Sequence, residues 1–140
     1  MINREHLNAF LDAMHGRNAS GTEAHMADDV IIYSPLAPEP YQGKQQVQAI
    51  LKQLLSTVDA FTPKLVLGDG PDFAAIFTIQ LGSNKLDGMD HMHINEDGFI
   101  DSMTVTWRPL PAVVEVQKLL APKFGMTPLT LVPMTEATAK

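Results

Sequence analysis

The chain of 140 residues has no cysteine, which excludes a disulfide framework and thiol catalysis. Basic residues are scarce too: ten Lys and Arg against sixteen Asp and Glu leave a formal net charge of −6. Those ten are scattered, without the clustering that a phosphate backbone demands, so nucleic acid is not an expected partner. No apolar run approaches the roughly 20 residues of a membrane span, and no membrane partner is expected. The opening Met1-Ile2-Asn3-Arg4-Glu5-His6 lacks the apolar stretch of a secretory signal. A cytoplasmic protein is the expectation, and the glycosylation acceptor pattern Asn18-Ala19-Ser20 is then coincidence. Neither a repeat nor a break in composition divides the chain. What is present is ordinary globular composition, 45% hydrophobic and 19% charged, with apolar mass for a real core. The expected organisation is one domain over 1–125 and a tail over 126–140, either flexible or laid along a partner subunit.

Hydrophobic spacing predicts the elements. Leu7, Phe10, Leu11 and Met14 recur at helical intervals, with Asn3 as cap, Ile2 against Leu7 as a staple, and Gly16 as the stop. A short second helix is expected over about Ser20–Met26. Val30–Tyr33 reads as a brief strand, and Pro35–Pro40 as a loop, since proline cannot donate to a ladder. Gly43 opens a third helix with Val47, Ile50, Leu51, Leu54 and Val58 on one face. Four strands follow, roughly Thr62–Leu67, Phe73–Leu81, Leu86–Ile94 and Phe99–Trp107, separated by turn signals. Pro109 and Pro111 begin a last helix, whose Val113, Val116, Leu119 and Leu120 are expected to pack on the sheet; Gly125 ends it. Early helices followed by consecutive antiparallel strands predict an α+β fold. Its expected form is a cone: a strongly curved, mostly antiparallel sheet over about three N-terminal helices, plus a C-terminal helix.

Asp90 is the most informative residue. Met89–Ile94 and Phe99–Trp107 both alternate, and they flank Asn95-Glu96-Asp97-Gly98, a hairpin turn signal. Alternation places Asp90, Met92 and Ile94 on one face. Pairing across the turn adds Met103, Val105 and Trp107 to it, while His91, His93, Ser102, Thr104 and Thr106 take the other. An acid thus sits on the apolar side of a sheet, where desolvation favours its neutral form and raises its pKa. Such a carboxyl is a functional-site candidate; its ordinary alternative is a strand-end carboxylate paired with lysine or water. His91 and His93 have a spacing used by metal sites, yet no third ligand is evident and no metal is expected. His15 and His25 are alternative bases for a cavity mouth, or simply solvated. Met14, Met26, Met89, Met92 and Met103 are expected in the core, or as a soft pocket wall. Tyr41, beside the proline-rich loop, either gates an entrance or covers the core.

Two stretches resemble the nuclear transport factor 2-like superfamily, in its SnoaL-like and ketosteroid-isomerase-like branches. One runs from Met26-Ala27-Asp28-Asp29-Val30 through Ser34-Pro35 and Glu39-Pro40 to Gly43. The other runs from Met89-Asp90-His91-Met92-His93-Ile94 through Asp97-Gly98 to Trp107-Arg108-Pro109. Element order fits over about residues 3–110. The resemblance implies that Asp90 falls where steroid isomerases keep a protonated aspartate that donates to an oxyanion. Ser34 falls at their general-base aspartate, Phe10 at their oxyanion-hole tyrosine, and Trp107 at an aromatic wall. Serine is a poor base and phenylalanine cannot donate, so the ordinary ketosteroid isomerase mechanism is not expected. The limonene epoxide hydrolase arrangement needs an arginine between two aspartates, and strand 73–81 carries no charge. SnoaL-type cyclases ask only for one aspartate, acid and base in an aldol closure.

The resemblance therefore implies a pocket for a small hydrophobic carbonyl compound, with Asp90 as the catalytic candidate and no cofactor. Phe10, Ser34, Met92, Met103, Val105 and Trp107 would line it. The outer sheet face would pack against a second subunit in a homodimer. Two other functions compete: a non-catalytic ligand-binding module, and a dimerisation domain with a vestigial pocket. A second titratable group near Asp90 favours the enzyme, Asp90 alone favours binding, and a filled pocket favours dimerisation.

Overall fold

The computed structural model describes residues 3–135. Helix α1 spans Glu5–His15 and buries Leu7, Phe10, Leu11 and Met14 as the periodicity predicts. Asn3 Oδ1 accepts the Glu5 N–H at 2.9 Å, which satisfies one free donor of the first turn. The proposed staple partner Ile2 lies outside the described residues. The expected helix over about Ser20–Met26 is instead two 3-10 turns, Ala19–Gly21 and Glu23–His25. Local side-chain bonds win there: Asn18 Oδ1 caps Gly21 N, and the buried Thr22 hydroxyl is held between Ala19 O and Gln48 Oε1.

Strand β1 (Met26–Tyr33) begins four residues earlier than the apolar run implied, and a short β2 (Tyr41–Gln42) pairs with it. Helix α2 (Lys44–Thr57) follows Gly43, whose φ of 90° only glycine adopts without strain. Strands β3 (Ala60–Leu67), β4 (Asp72–Leu81), β5 (Asn84–Ile94) and β6 (Ile100–Arg108) then run as antiparallel neighbours. The sheet order is β2-β1-β6-β5-β4-β3, and β1 joins β6 in parallel. The fold is thus α+β with one curved, mixed six-strand sheet. Pro63 fits because β3 is an edge strand, and its pairing slips between Pro63 and Leu65.

Helix α3 (Leu110–Phe124) ends at Gly125, which takes the left-handed conformation at φ 69°. Its buried stripe is rotated from the expected one: Val116 and Leu120 are buried, but Leu119 is 51% exposed, and Val114, Gln117 and Ala121 face inward. Gln117 explains the turn. Its Nε2 donates to Thr127 O at 2.9 Å and its Oε1 accepts from Leu129 N at 2.8 Å, so residues 127–129 lie against this helix.

One continuous apolar cluster joins α1, α2, α3 and the inner sheet face. Met89 is not part of it. It points to the outer face and is exposed, because it alternates with the buried Gly88 and Asp90.

Candidate functional site

The hairpin register is the one that alternation predicts. Asp90 pairs with Val105, Met92 with Met103 and Gly88 with Trp107, while His91 and Thr104 share the outer face. On its other side Asp90 pairs with Ala75 of β4. The two residues paired with it on the inner face, Val105 and Ala75, are apolar and supply neither a cation nor a side-chain donor. Asp90 is 7% exposed, and its Oδ1 has no hydrogen-bond partner. Burial pushes its pKa up from 3.8 to about 7.

Asp90 opens into a hollow between the sheet, α2, α3 and the loop after β1. Ile50, Leu51 and Leu54 close it from α2, Leu120 and Phe124 from α3, and Ser34, Pro35 and Leu36 from the loop. Phe61, Phe77, Ile79, Met103, Val105 and Trp107 form the sheet wall, and Met14 and Ile32 complete it. Asp90 is the one titratable group among these residues. The hollow encloses ≈ 550 Å³ between atoms, mouth included, but only ≈ 40 Å³ of that admits the centre of a water-sized sphere. The smaller figure sets ligand size: it corresponds to about three waters, or about 100 Å³ of liquid.

Of the predicted lining residues, Ser34, Met103, Val105 and Trp107 are in the wall. Phe10 and Met92 are not. Both are fully buried in the packed core, 1% and 0% exposed, so their faces meet side chains rather than empty space. Ser34 Oγ accepts the Leu36 N–H at 3.0 Å, which holds the loop and occupies the hydroxyl's acceptor side. Trp107 contributes a second orphan: its Nε1 is buried without a partner. Sequence reading placed Trp107 as an aromatic wall and missed this donor. The pleat had put it on Asp90's face, and that was the available signal.

The histidines go elsewhere. His91 Nε2 meets Asp72 Oδ1 at 2.8 Å and His93 Nδ1 meets Asp101 Oδ1 at 2.6 Å, each on its own carboxylate. Among the described residues no group of three or more His, Cys, Asp or Glu is placed to hold a metal ion. His25 Nδ1 lies 2.9 Å from His6 Nδ1, away from the hollow. Its pKa is lowered by burial, then by His6 and Lys44. His15 tilts against the wall residue Phe61 at 5.6 Å, and burial lowers its pKa against the pull of Asp12. Tyr41 is partly buried against the core and is not a wall residue. No helix is long and apolar enough to cross a membrane among the described residues.

Solved structures with this fold include an uncharacterised bacterial protein with a cystatin-like fold from Silicibacter pomeroyi. It is 22% identical with a TM-score of 0.81, over 86% of this chain and 85% of that one. A steroid delta-isomerase from Pseudomonas aeruginosa is 24% identical with a TM-score of 0.79, over 86% and 89%. A nuclear transport factor 2-like protein of unknown function from Burkholderia xenovorans is 16% identical with a TM-score of 0.66, over 98% and 92%. At these identities the likeness is one of fold. No curated protein matches the sequence. The SnoaL-like domain profile matches residues 7–103, which take in most of α1, all of α2, Asp90 and Met103, and the chain belongs to the SnoaL-like domain family within the nuclear transport factor 2-like fold.

Proposed function

We propose that the hollow takes up a small hydrophobic carbonyl compound and that Asp90 moves a proton on it, in isomerase- or cyclase-type chemistry. One observation carries this reading: a buried carboxyl with an unpartnered oxygen, titrating near neutrality, faces an apolar space. A carboxyl whose pKa matches the ambient pH can serve as base in one step and acid in the next. The carboxylate form removes a proton from the carbon beside the carbonyl; the resulting acid returns it to another carbon or to an aldol alkoxide. No second base is required if one group does both. Room for about 100 Å³ of liquid is less than the cavity of about 150 Å³ that takes up benzene, so a six-membered ring enters only as the walls give slightly, and a steroid needs them to move far apart.

The absence of a second titratable group in the wall favours the competing reading, a binding module without turnover. Deuterium exchange at the α-carbons of cyclohexanone in D2O separates the two. Under the acid–base reading, protein-catalysed exchange rises with pH through about 7, levels off, and vanishes in Asp90→Asn. Binding without exchange would leave the module.

The outer sheet face fits a second copy of this chain. Leu67, Ala74, His91, Thr104 and Tyr33 form one cross-strand row over five strands, and Leu65, Ile76, Met89 and Thr106 form the next. Leu65, Leu67, Met89 and Tyr33 are exposed there. A homodimer would cover them, as the resemblance implies.

A further inference from the structure

We infer that the indole N–H of Trp107 is the donor that holds the ligand's carbonyl oxygen. This rests on the reading of Asp90 as the proton-transfer group and names its missing complement.

A single carboxyl cannot both take the α-proton and neutralise the oxygen that gains charge. When the C–H bond breaks, a new O–H bond forms on Asp90 and the electron pair moves to the carbonyl oxygen. That oxygen needs a donor placed in advance. Among the described residues, the only buried side-chain nitrogen or oxygen atoms without partners are Asp90 Oδ1 and Trp107 Nε1, and both residues line the same hollow. Unpartnered buried donors are uncommon, and each asks for an explanation. Indole nitrogen can only donate, so it selects an acceptor.

The register supports a shared ligand. Asp90 pairs with Val105 and Trp107 lies two residues further on the same face, a diagonal neighbour with Cα atoms about 7–8 Å apart. Side chains of diagonal neighbours on one face reach into the same space, so one ligand can meet both, its carbonyl oxygen on Nε1 and its α-carbon beside Asp90. Trp107 has room to sit there because its cross-strand partner is Gly88, and Gly88 in turn is covered by the Phe77 ring. The electron pair then returns from the oxygen to carbon as Asp90 gives the proton back, and no other reactant is consumed. The ligand class that fits is a compact ketone or aldehyde with an apolar body; a hydrocarbon of the same shape leaves the indole proton unpaired.

The chain's one tryptophan makes the test direct, since a 15N-labelled sample gives one indole N–H resonance. Cyclohexanone and methylenecyclohexane differ only in oxygen against CH2. Both are expected to shift the methyl resonances of Met103 and Val105, while only the ketone moves the indole proton downfield. Trp107→Phe keeps the ring and drops the donor, and is expected to bind the ketone about five- to tenfold more weakly with alkene binding retained. Should that variant misfold, the wild-type indole shift decides alone. If the ketone enters and exchanges its α-protons through Asp90 while the indole resonance stays still, the Trp107 assignment is overturned and the Asp90 reading stands. If neither compound perturbs the pocket methyls, both fall together.

Discussion

Asparagine at position 90 is expected to flatten a pH dependence of stability that the wild type carries. In the unfolded chain the Asp90 carboxyl ionises near 3.8, and in the fold near 7. Between those values the native state holds a proton that the unfolded state has released. Stability therefore falls as pH rises: the benefit is complete below about 4 and gone above about 7. Roughly three pH units at about 1.4 kcal/mol each make about 4 kcal/mol, a large share of the 5–15 kcal/mol that typically holds a domain together. Urea unfolding of wild type and Asp90→Asn from pH 4 to pH 9 measures it. His15 and His25, both with lowered pKa values, titrate in both proteins and cancel in the difference. With a urea slope of about 2 kcal/mol/M, the midpoint gap between the proteins should change by about 2 M across the range. Parallel curves, with a difference constant to within about 1 kcal/mol, would mean that the carboxyl is solvated or paired, and the proposed chemistry would go with it.

Asp90→Leu should raise the urea midpoint at pH 8 and abolish α-proton exchange of cyclohexanone; a variant less stable than wild type would contradict the cost assigned to the buried acid. Gly88→Ala should lose about 1–3 kcal/mol of stability, because a Cβ there overlaps the Phe77 ring; an unchanged midpoint would show that the ring moves freely. Gln117→Ala removes both bonds that hold residues 127–129 to α3, so the Leu129 amide should lose hydrogen-exchange protection; retained protection would assign the docking to other contacts. Met89→Glu places a charge in the exposed outer-face rows, and light scattering should then report a smaller assembly than for wild type; a monomeric wild type would remove the dimer proposal.

Local pattern carried a good deal of this protein. Alternation through Met89–Ile94 and the turn at Asp97-Gly98 determined which residues share a face with Asp90, because the pleat has a period of two whatever the sheet packs against. Val47 and Leu51 marked the inner side of α2 in the same way, and Gly125 marked the end of α3. Periodicity says which side a residue faces but not how deep the packing runs. Met92 and Asp90 share one face of one strand, yet Met92 is sealed in the core and Asp90 borders a hollow. The phase of α3 was missed for a related reason. Spacing alone puts Leu119 in the core, but Gln117 turns inward to bond the chain that follows the helix, and Leu119 is exposed. Asn18 and Thr22 likewise broke an expected helix through side-chain bonds, one of them reaching Gln48 on α2.

From the chain of residues alone came the class of fold, the strand faces and the single acid on the apolar side, all set by interactions between near neighbours in sequence. Tertiary structure decided that this acid has no partner, that an indole N–H beside it is equally alone, and that the space between them is small. Those three facts depend on which distant segments approach β5 and how closely: Ala75 of β4, Ile50 of α2 and Phe124 of α3 come from separate parts of the chain. Burial and cavity volume are properties of that assembly, so no local pattern could have supplied them.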